Sequence, residues 1–582
     1  MEILSNMRRK THLRTSEELL IFGVVSLMYI ALTLFAFRNF IVVRNGATLQ
    51  RFHLGSTLIG PPEDNLQDFW NTWYAASRVE TLRDLGYTNL IKYPEGTTLH
   101  YHSFAYPMIA IARVFAAIWG TRLARLVALQ NLLLIMSFPL SAIGGFYLVR
   151  HFTQENIGAM VGGAVFAFNP SHIAHVTHHI GISSIEFMPF FVLTFILAVE
   201  RKSWAFVLLS TLFLALNALS TWYYLIYCLY FMVFFCVLVA IKQKRVFDTW
   251  PLRVLLCNVM GVLALLSPLL VPMIVQAAKS AHIQEGGIDN MVADVVGYFS
   301  FPPTHLLSSL SRNVYSHLAG NPWESTVYLG WVNIALLGWL IVRRKHLNRD
   351  LISFVLSGMA VFALLASGDY LHVFGHSLRI PLPDLLLTHL PFLEDVSTPS
   401  RAIVVVYMFL SIGVGYAIST LREGGRSAGG RIAIAGIVLL MALDWYPRPL
   451  PGTRVACLPP YSLLAQDSDS SAGVLDLPRG LFENRGYVEG NIYMMNQVCH
   501  LHPIVDGTIS HILNKSLEDQ LETYDLDKQR QQLAEDKVKY IIIHRPTDGL
   551  FQWSAEDGQV DQYEKKYPVL YRGYDAIVLG VY

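Results

Sequence analysis

The chain has 582 residues, of which 53% are hydrophobic and only 15% charged, and its mean hydropathy is +0.40. A soluble protein carries about 25% charged residues, so this composition excludes an ordinary soluble enzyme and points to a helical membrane protein. The net charge of +1 says little, because the asymmetry lies between loops rather than in the total.

The chain opens with the basic stretch MEILSNMRRKTHLR. The apolar run that follows, Leu19 to Phe37, is long enough to span a bilayer, and no clear small-residue cleavage site follows it. It reads as a retained first helix. Further spans are expected near 124–149, 157–169, 182–200, 204–220, 222–241, 252–277, 325–342, 351–368, 401–421 and 431–446, about eleven with the first at 19–43. Positive charge on short loops marks the cytoplasmic side. With the N-terminus inside, Arg150, Arg201, Lys202, Lys242, Lys244, Arg245, Arg343, Arg344, Lys345, Arg422 and Arg426 all fall on inner loops. The stretch 104–120, with Pro107 and Arg113, is short for a span. It is read as re-entrant or interfacial on the outer side.

The outside then holds a long first loop (44–123), a His-rich turn (170–181), loops at 278–324 and 369–400, and everything from Pro447. Residues 1–446 are expected to form the transmembrane domain and 447–582 a small extracytoplasmic α/β domain. In the latter, GVLDLP, PIVDGT, VKYIIIH and YDAIVLGVY read as short strands, and Ser516 to Asp536 reads as a helix. Cys457 and Cys499 would be able to pair there in an oxidising compartment. Cys228, Cys236 and Cys257 lie inside apolar runs and read as inert.

Four outer clusters carry candidate chemistry. In PPEDNLQDFWNTWY, the acids Glu63, Asp64 and Asp68 precede Trp70, Trp73 and Tyr74. A carboxylate backed by aromatics suits a general base acting on a sugar or lipid hydroxyl, with a solvated loop acid as the plainer reading. YPEGTTLHYH adds Glu95, His100 and His102. In NPSHIAHVTHHIGISSIEF, His172, His175 and His179 share one face if the segment is helical, with His178 beside them. They would contact phosphate or sugar, hold a divalent metal, or serve structure alone. Asp294 and Glu324 bracket the third loop. Arg401 begins a helix after Pro399, where a guanidinium would clamp a lipid phosphate or simply snorkel. No GxxxxGK[ST], HExxH, GxSxG or post-strand GxGxxG is present, so ATP-driven transport and zinc proteolysis lack support.

These motifs occur in one order. Asp64, Gln67 and Trp70 resemble a D-x-x-Q-x-x-W pattern, and YPEGTTLHYH resembles Y-P-x-G-x-x-L-x-x-H. FNPSHIAHVTHH, STWYYLIY, ADVVGYFSFPPTHLL and STPSRA follow. Together they resemble the multi-span GT-C glycosyltransferases, in particular a broad bacterial group of poorly characterised members. The resemblance implies a transferase in the bacterial cytoplasmic (inner) membrane. Such an enzyme moves a sugar from a polyprenyl-phosphate donor to a glycan, lipid or protein acceptor at the outer face. Nucleic acid is not an expected partner. It implies Asp64 as base, with Glu63 able to share the role. Gln67, Trp70, His102, His175, His178, Asp294, Glu324 and Arg401 are expected to contact substrate. No metal ligand is assigned; a divalent metal stays open, because no DxD pair occurs in the first loop. A lipid-linked-glycan flippase and a non-catalytic envelope assembly protein are the alternatives.

Overall fold

A computed structural model describes residues 15–41, 54–243, 249–277, 291–387, 398–425, 427–478, 486–510, 517–522, 524–545 and 557–582. The basic start, Lys244, Arg245, Arg426 and the segment FLEDV lie outside the described residues. In chain order the helices are α1 (Thr15–Ala36), α2 (Asp64–Ser77), α3 (Tyr106–Trp119), α4 (Leu123–Thr153), α5 (Asn156–Ala167), α6 (Phe187–Arg201), α7 (Trp204–Ser220), α8 (Trp222–Gln243) and α9 (Thr249–Ala277). They continue with α10 (Trp331–Arg343), α11 (Arg349–Ala366), α12 (Ile403–Gly424), α13 (Ala428–Asp444), α14 (Gly486–His500) and α15 (Leu526–Glu535). Strands are β1 (Thr57–Ile59), β2 (Tyr370–Val373), β3 (His376–Pro381), β4 (Gly452–Arg454), β5 (Gly473–Leu477), β6 (Val538–His544), β7 (Val569–Arg572) and β8 (Ala576–Gly580). Shorter pieces are named by residue.

Every expected span overlaps a helix, α1 and α4 to α13, with α6 starting at Phe187 rather than 182 and α10 at Trp331 rather than 325. Among the described residues seven helical segments are long and apolar enough to cross a bilayer unaided. The other four, α6, α7, α10 and α13, have 15, 17, 13 and 17 residues. The chain is thus a polytopic helical membrane protein with a small sheet-containing C-terminal region. Helix α3 has 14 residues, about 21 Å at 1.5 Å per residue, against a hydrocarbon core of about 30 Å.

Two compact units are present. The first comprises residues 1–42, 133–266 and 285–450. Its centre is α12, whose residues Ile403 to Val414 are all buried. Phe231, Phe234, Phe354 and Phe362 surround Phe409, with the rings of Phe354 and Phe409 5.2 Å apart. Helix α5 lies close against α12 because both are lined with small residues. A Cβ on Gly162 would stand 2.7 Å from the Ser411 carbonyl, and one on Gly158 would strike the Gly415 carbonyl. Gly158 and Gly162 on one helix, and Ser411, Gly415 and Ser419 on the other, each recur every four residues, the spacing that lets membrane helices approach closely.

The second unit comprises residues 43–132, 267–284 and 451–582. Its sheet has the order β5-β6-β8-β7. β5 runs parallel to β6, while β8 is antiparallel to both β6 and β7. Ile541, Ile543, Ile577 and Leu579 face one core, and Ile542, Val578, Trp70 and Tyr493 belong to the other. Strand β1 pairs antiparallel with β4, Thr57 opposite Arg454. Cys457 and Cys499 form a disulfide. Three of the four expected strands are found. PIVDGT contributes only an isolated bridge, Val474 to Ile504. The helix expected over 516–536 is two pieces, Leu517–Gln520 and α15. The second piece starts afresh because Asp525 caps it, its carboxylate accepting the N–H of Asp527 and Lys528.

Candidate active site

In the first unit, three of the singled-out side chains converge. Pro399 opens a 3-10 turn, Pro399–Ala402, directly before α12. Its missing N–H costs nothing in a first helical turn, and this places Arg401 at the helix entrance. A cation there opposes the helix dipole. Glu324 supplies the compensation: Nε of Arg401 donates to both carboxylate oxygens at 3.0 and 3.2 Å, and Nη2 donates to Oε1 at 2.5 Å. Glu324 itself is set by a turn in which the Asn321 side chain accepts its backbone N–H at 2.9 Å. The guanidinium lies over the Tyr223 ring at 4.6 Å, a cation–π contact.

His175 completes the group, its Nε2 3.7 Å from Glu324 Oε2. Asn169 caps the short helix Pro170–His175 by accepting the His172 N–H. That helix ends at His175, so His172, His175 and His179 do not share one continuous helical face. The break is local: Thr177 donates its hydroxyl to the Ala174 carbonyl at 2.7 Å. His172 stacks on Phe138 at 3.9 Å and bonds to Ala167 and Ser137. His178 stacks on Trp323 at 3.7 Å, next to Glu324 in sequence. The His179 ring is 5.7 Å from that of His175.

Glu324 and His175 are buried, 3% exposed each. Burial alone would raise the Glu324 carboxyl, but the charge of Arg401, helped by His175, holds it well below the usual carboxylate range. His175, Arg401, Tyr224, Asn169, Ser171 and Val404 line a narrow cleft with about 10 Å³ of free volume. Nδ1 of His175 has no hydrogen-bond partner among the described residues. His175, His179 and Glu324 also offer three metal-ligand atoms within 4.8 Å of one another. The donor types suit a zinc-like ion, but Glu324 is already charge-balanced by Arg401, so a dication there would be held against a fixed positive neighbour.

Asp294 does something different. Its carboxylate accepts the N–H groups of Val296, Phe374 and Gly375 at 2.8, 3.0 and 2.7 Å. It thereby holds the two-residue turn between β2 and β3, where Phe374 and Gly375 both have positive φ (55° and 77°), the geometry of a type I′ hairpin.

The remaining candidates belong to the second unit. Glu63 and Asp64 stand at the start of α2, Asp64 as its first residue, where a carboxylate suits the dipole. Gln67 donates to the Thr508 carbonyl at 3.1 Å. Trp70 is fully buried, donates its indole N–H to Gln497 at 2.6 Å and stacks on Tyr74 at 4.8 Å, leaving no face open to a sugar ring in this conformation. His102 meets Asn71 at 2.8 Å. Tyr223 and Trp323 were not singled out from the sequence as site residues. The signal for them was adjacency: a tyrosine doublet opening α8, and a tryptophan preceding the buried acid.

A sequence-family profile described as a domain of unknown function (DUF6311) matches residues 33–446, most of the chain. The protein belongs to this family. Among curated proteins none matches the DUF6311 chain. Among solved structures it is similar to the apo oligosaccharyltransferase of Archaeoglobus fulgidus, at 12% identity and a TM-score of 0.52, covering 96% of this chain and 73% of that one. It is equally similar to the arabinofuranosyltransferase AftD from Mycobacteria (mutant R1389S), at 13% identity and a TM-score of 0.52, covering 96% of this chain and 41% of that one. The DUF6311 chain therefore has the GT-C fold.

Proposed function

We propose that this protein is a membrane glycosyltransferase that moves a sugar from a polyprenyl-phosphate donor to an acceptor at the outer face of the bacterial inner membrane. The observation that carries the reading is the buried Arg401–Glu324–His175 cluster beside a cleft, set in a fold shared with enzymes named as glycosyltransferases. A transferred sugar leaves a lipid phosphate whose growing negative charge needs a fixed donor. Arg401 spends Nε and Nη2 on Glu324, which orients the guanidinium. Nη1 takes part in none of those bonds, and would face the phosphate together with His175, and with His178 behind it.

Asp64, with Glu63 beside it, is the proposed base. The acceptor hydroxyl attacks C1 of the sugar, its proton passes to the carboxylate, and the C1–O bond to the lipid phosphate breaks with inversion. Gln67, Trp70 and His102 are buried and hydrogen-bonded, so they would act by holding α2 in place. Asp294 would do the same for its outer loop. The module 447–582 would receive the acceptor, and its disulfide supports an oxidising, extracytoplasmic setting. Asp64→Asn should abolish sugar incorporation into isolated membranes at unchanged expression; normal incorporation would overturn the base assignment. The lipid-linked sugar that accumulates in a deletion strain identifies the donor, and absence of any such species argues against the transferase.

A further inference from the structure

The loop preceding α10 carries an exposed apolar face that the proposed chemistry does not use. From His305 to Ser311, burial follows a three-residue rhythm: His305, Ser308 and Ser311 are buried, while Leu306, Leu307 and Leu310 are 54%, 45% and 74% exposed. That is the period of a 3-10 turn, and Ser308–Ser311 forms one. The inward face is fixed. Ser311 donates to the Phe301 carbonyl at 2.5 Å, His305 stacks on Phe301 at 4.6 Å, and the Leu307 N–H donates to His305 Nδ1 at 2.9 Å. The leucines therefore point outward by construction.

Isolated exposed leucines need no explanation; the location of these does. His305 pairs in an antiparallel bridge with Pro447. The Leu306 N–H donates to the Tyr446 carbonyl at 3.1 Å, and the Arg448 N–H to the Thr304 carbonyl at 2.7 Å. Residues 446 to 448 follow directly on the end of α13 at Asp444. Two to four extended residues reach about 7–14 Å, comparable to one headgroup layer of roughly 5–8 Å. At the loop's other end, Phe299 (44% exposed) contacts Trp331 at 5.7 Å, and Trp331 is the first residue of α10. Aromatic residues at this level are interface anchors. Helix α13, whose end the loop is bonded to, itself leaves Leu439, Leu440 and Leu443 exposed. Arg312 and Arg448 flank it and are exposed, placed to meet lipid phosphates.

We propose that residues 299–311 form a monotopic wedge whose leucines insert into the acyl boundary of the leaflet where α13 ends and α10 begins, with Arg312 and Arg448 on the headgroups. This does not depend on the transferase reading. The test uses the full chain with Cys228, Cys236 and Cys257 replaced by serine and the Cys457–Cys499 bond intact. Leu310→Cys, and separately Leu307→Cys, are labelled with an environment-sensitive fluorophore in nanodiscs of phosphatidylethanolamine and phosphatidylglycerol. Tyr524→Cys, at a 96% exposed site, is the aqueous control. Insertion predicts at least twofold stronger quenching by lipid bearing a shallow acyl nitroxide than by aqueous iodide at both loop sites, with the reverse at the control. Iodide quenching equal to the control would overturn the wedge. Quenching by neither agent would also overturn it, since the face would then be covered by protein.

Discussion

Glu324 can be buried because Arg401, itself partly buried, balances its charge. Removing one partner of a buried ion pair leaves an uncompensated charge, at roughly 3–5 kcal/mol. Arg401→Gln should therefore lower the unfolding midpoint in detergent strongly, whereas Arg401→Met combined with Glu324→Leu should recover much of that loss without restoring sugar transfer. Recovery of both would reduce the pair to packing. The pair also sets a pH dependence. Because Glu324 titrates below its unfolded value, its contribution is complete above the ordinary carboxylate range and is lost as pH falls through the depressed folded value. Glu324→Gln should accordingly lose less stability than wild type between pH 5 and pH 3, read as the shift in denaturation midpoint. Both side chains were conspicuous in the sequence, one after a proline at a helix start, the other in an outer loop. Their mutual bond was not, since it joins residues 77 positions apart and depends on how helices pack.

At the level of elements, the small-residue seam between α5 and α12 is the tightest constraint. Gly162→Ile has no room against Ser411 and Val149, and overpacking of this kind costs about 1–3 kcal/mol. Gly436→Ala, where nothing lies within 4 Å of the added carbon, should leave the thermal midpoint unchanged or slightly raised. Helices of the first unit were legible because long apolar runs admit few alternatives in a bilayer. Helix α14 escaped for the opposite reason. It buries Asn491, Asn496 and Gln497 along with Ile492, Tyr493 and Met494, so its buried surface is not a purely apolar stripe. The strand expected at PIVDGT failed because its backbone partners are divided: Ile504 donates to Leu90, and Val505 to Val474.

For the molecule as a whole, the alternating loop charges and the disulfide support one orientation, with residues 447–582 outside. An alkaline phosphatase fused after Tyr582 should be active and one fused after Lys202 inactive; the reverse pattern would invert the proposed site. Replacing Cys457 and Cys499 by alanine releases a loop of 42 residues, worth about 4 kcal/mol by chain entropy. The result should be protease sensitivity confined to the second unit. A sheet-containing C-terminal region was visible in the sequence pattern, whereas the gathering of residues 54–132 with it into one compact unit was not, because sequence pattern carries no record of contacts across some hundreds of residues.

The pairing of β1 with β4 sets a clock on synthesis. Thr453 bonds to Gly60 across 393 residues, and at ~5–20 residues per second a ribosome needs about 20–80 s to make the interval. Through that time the side of β1 that meets β4 lacks its partner strand, while the helices between are being threaded into the bilayer. A chain stalled before Gly452 would present that edge to whatever chaperone or protease meets it first.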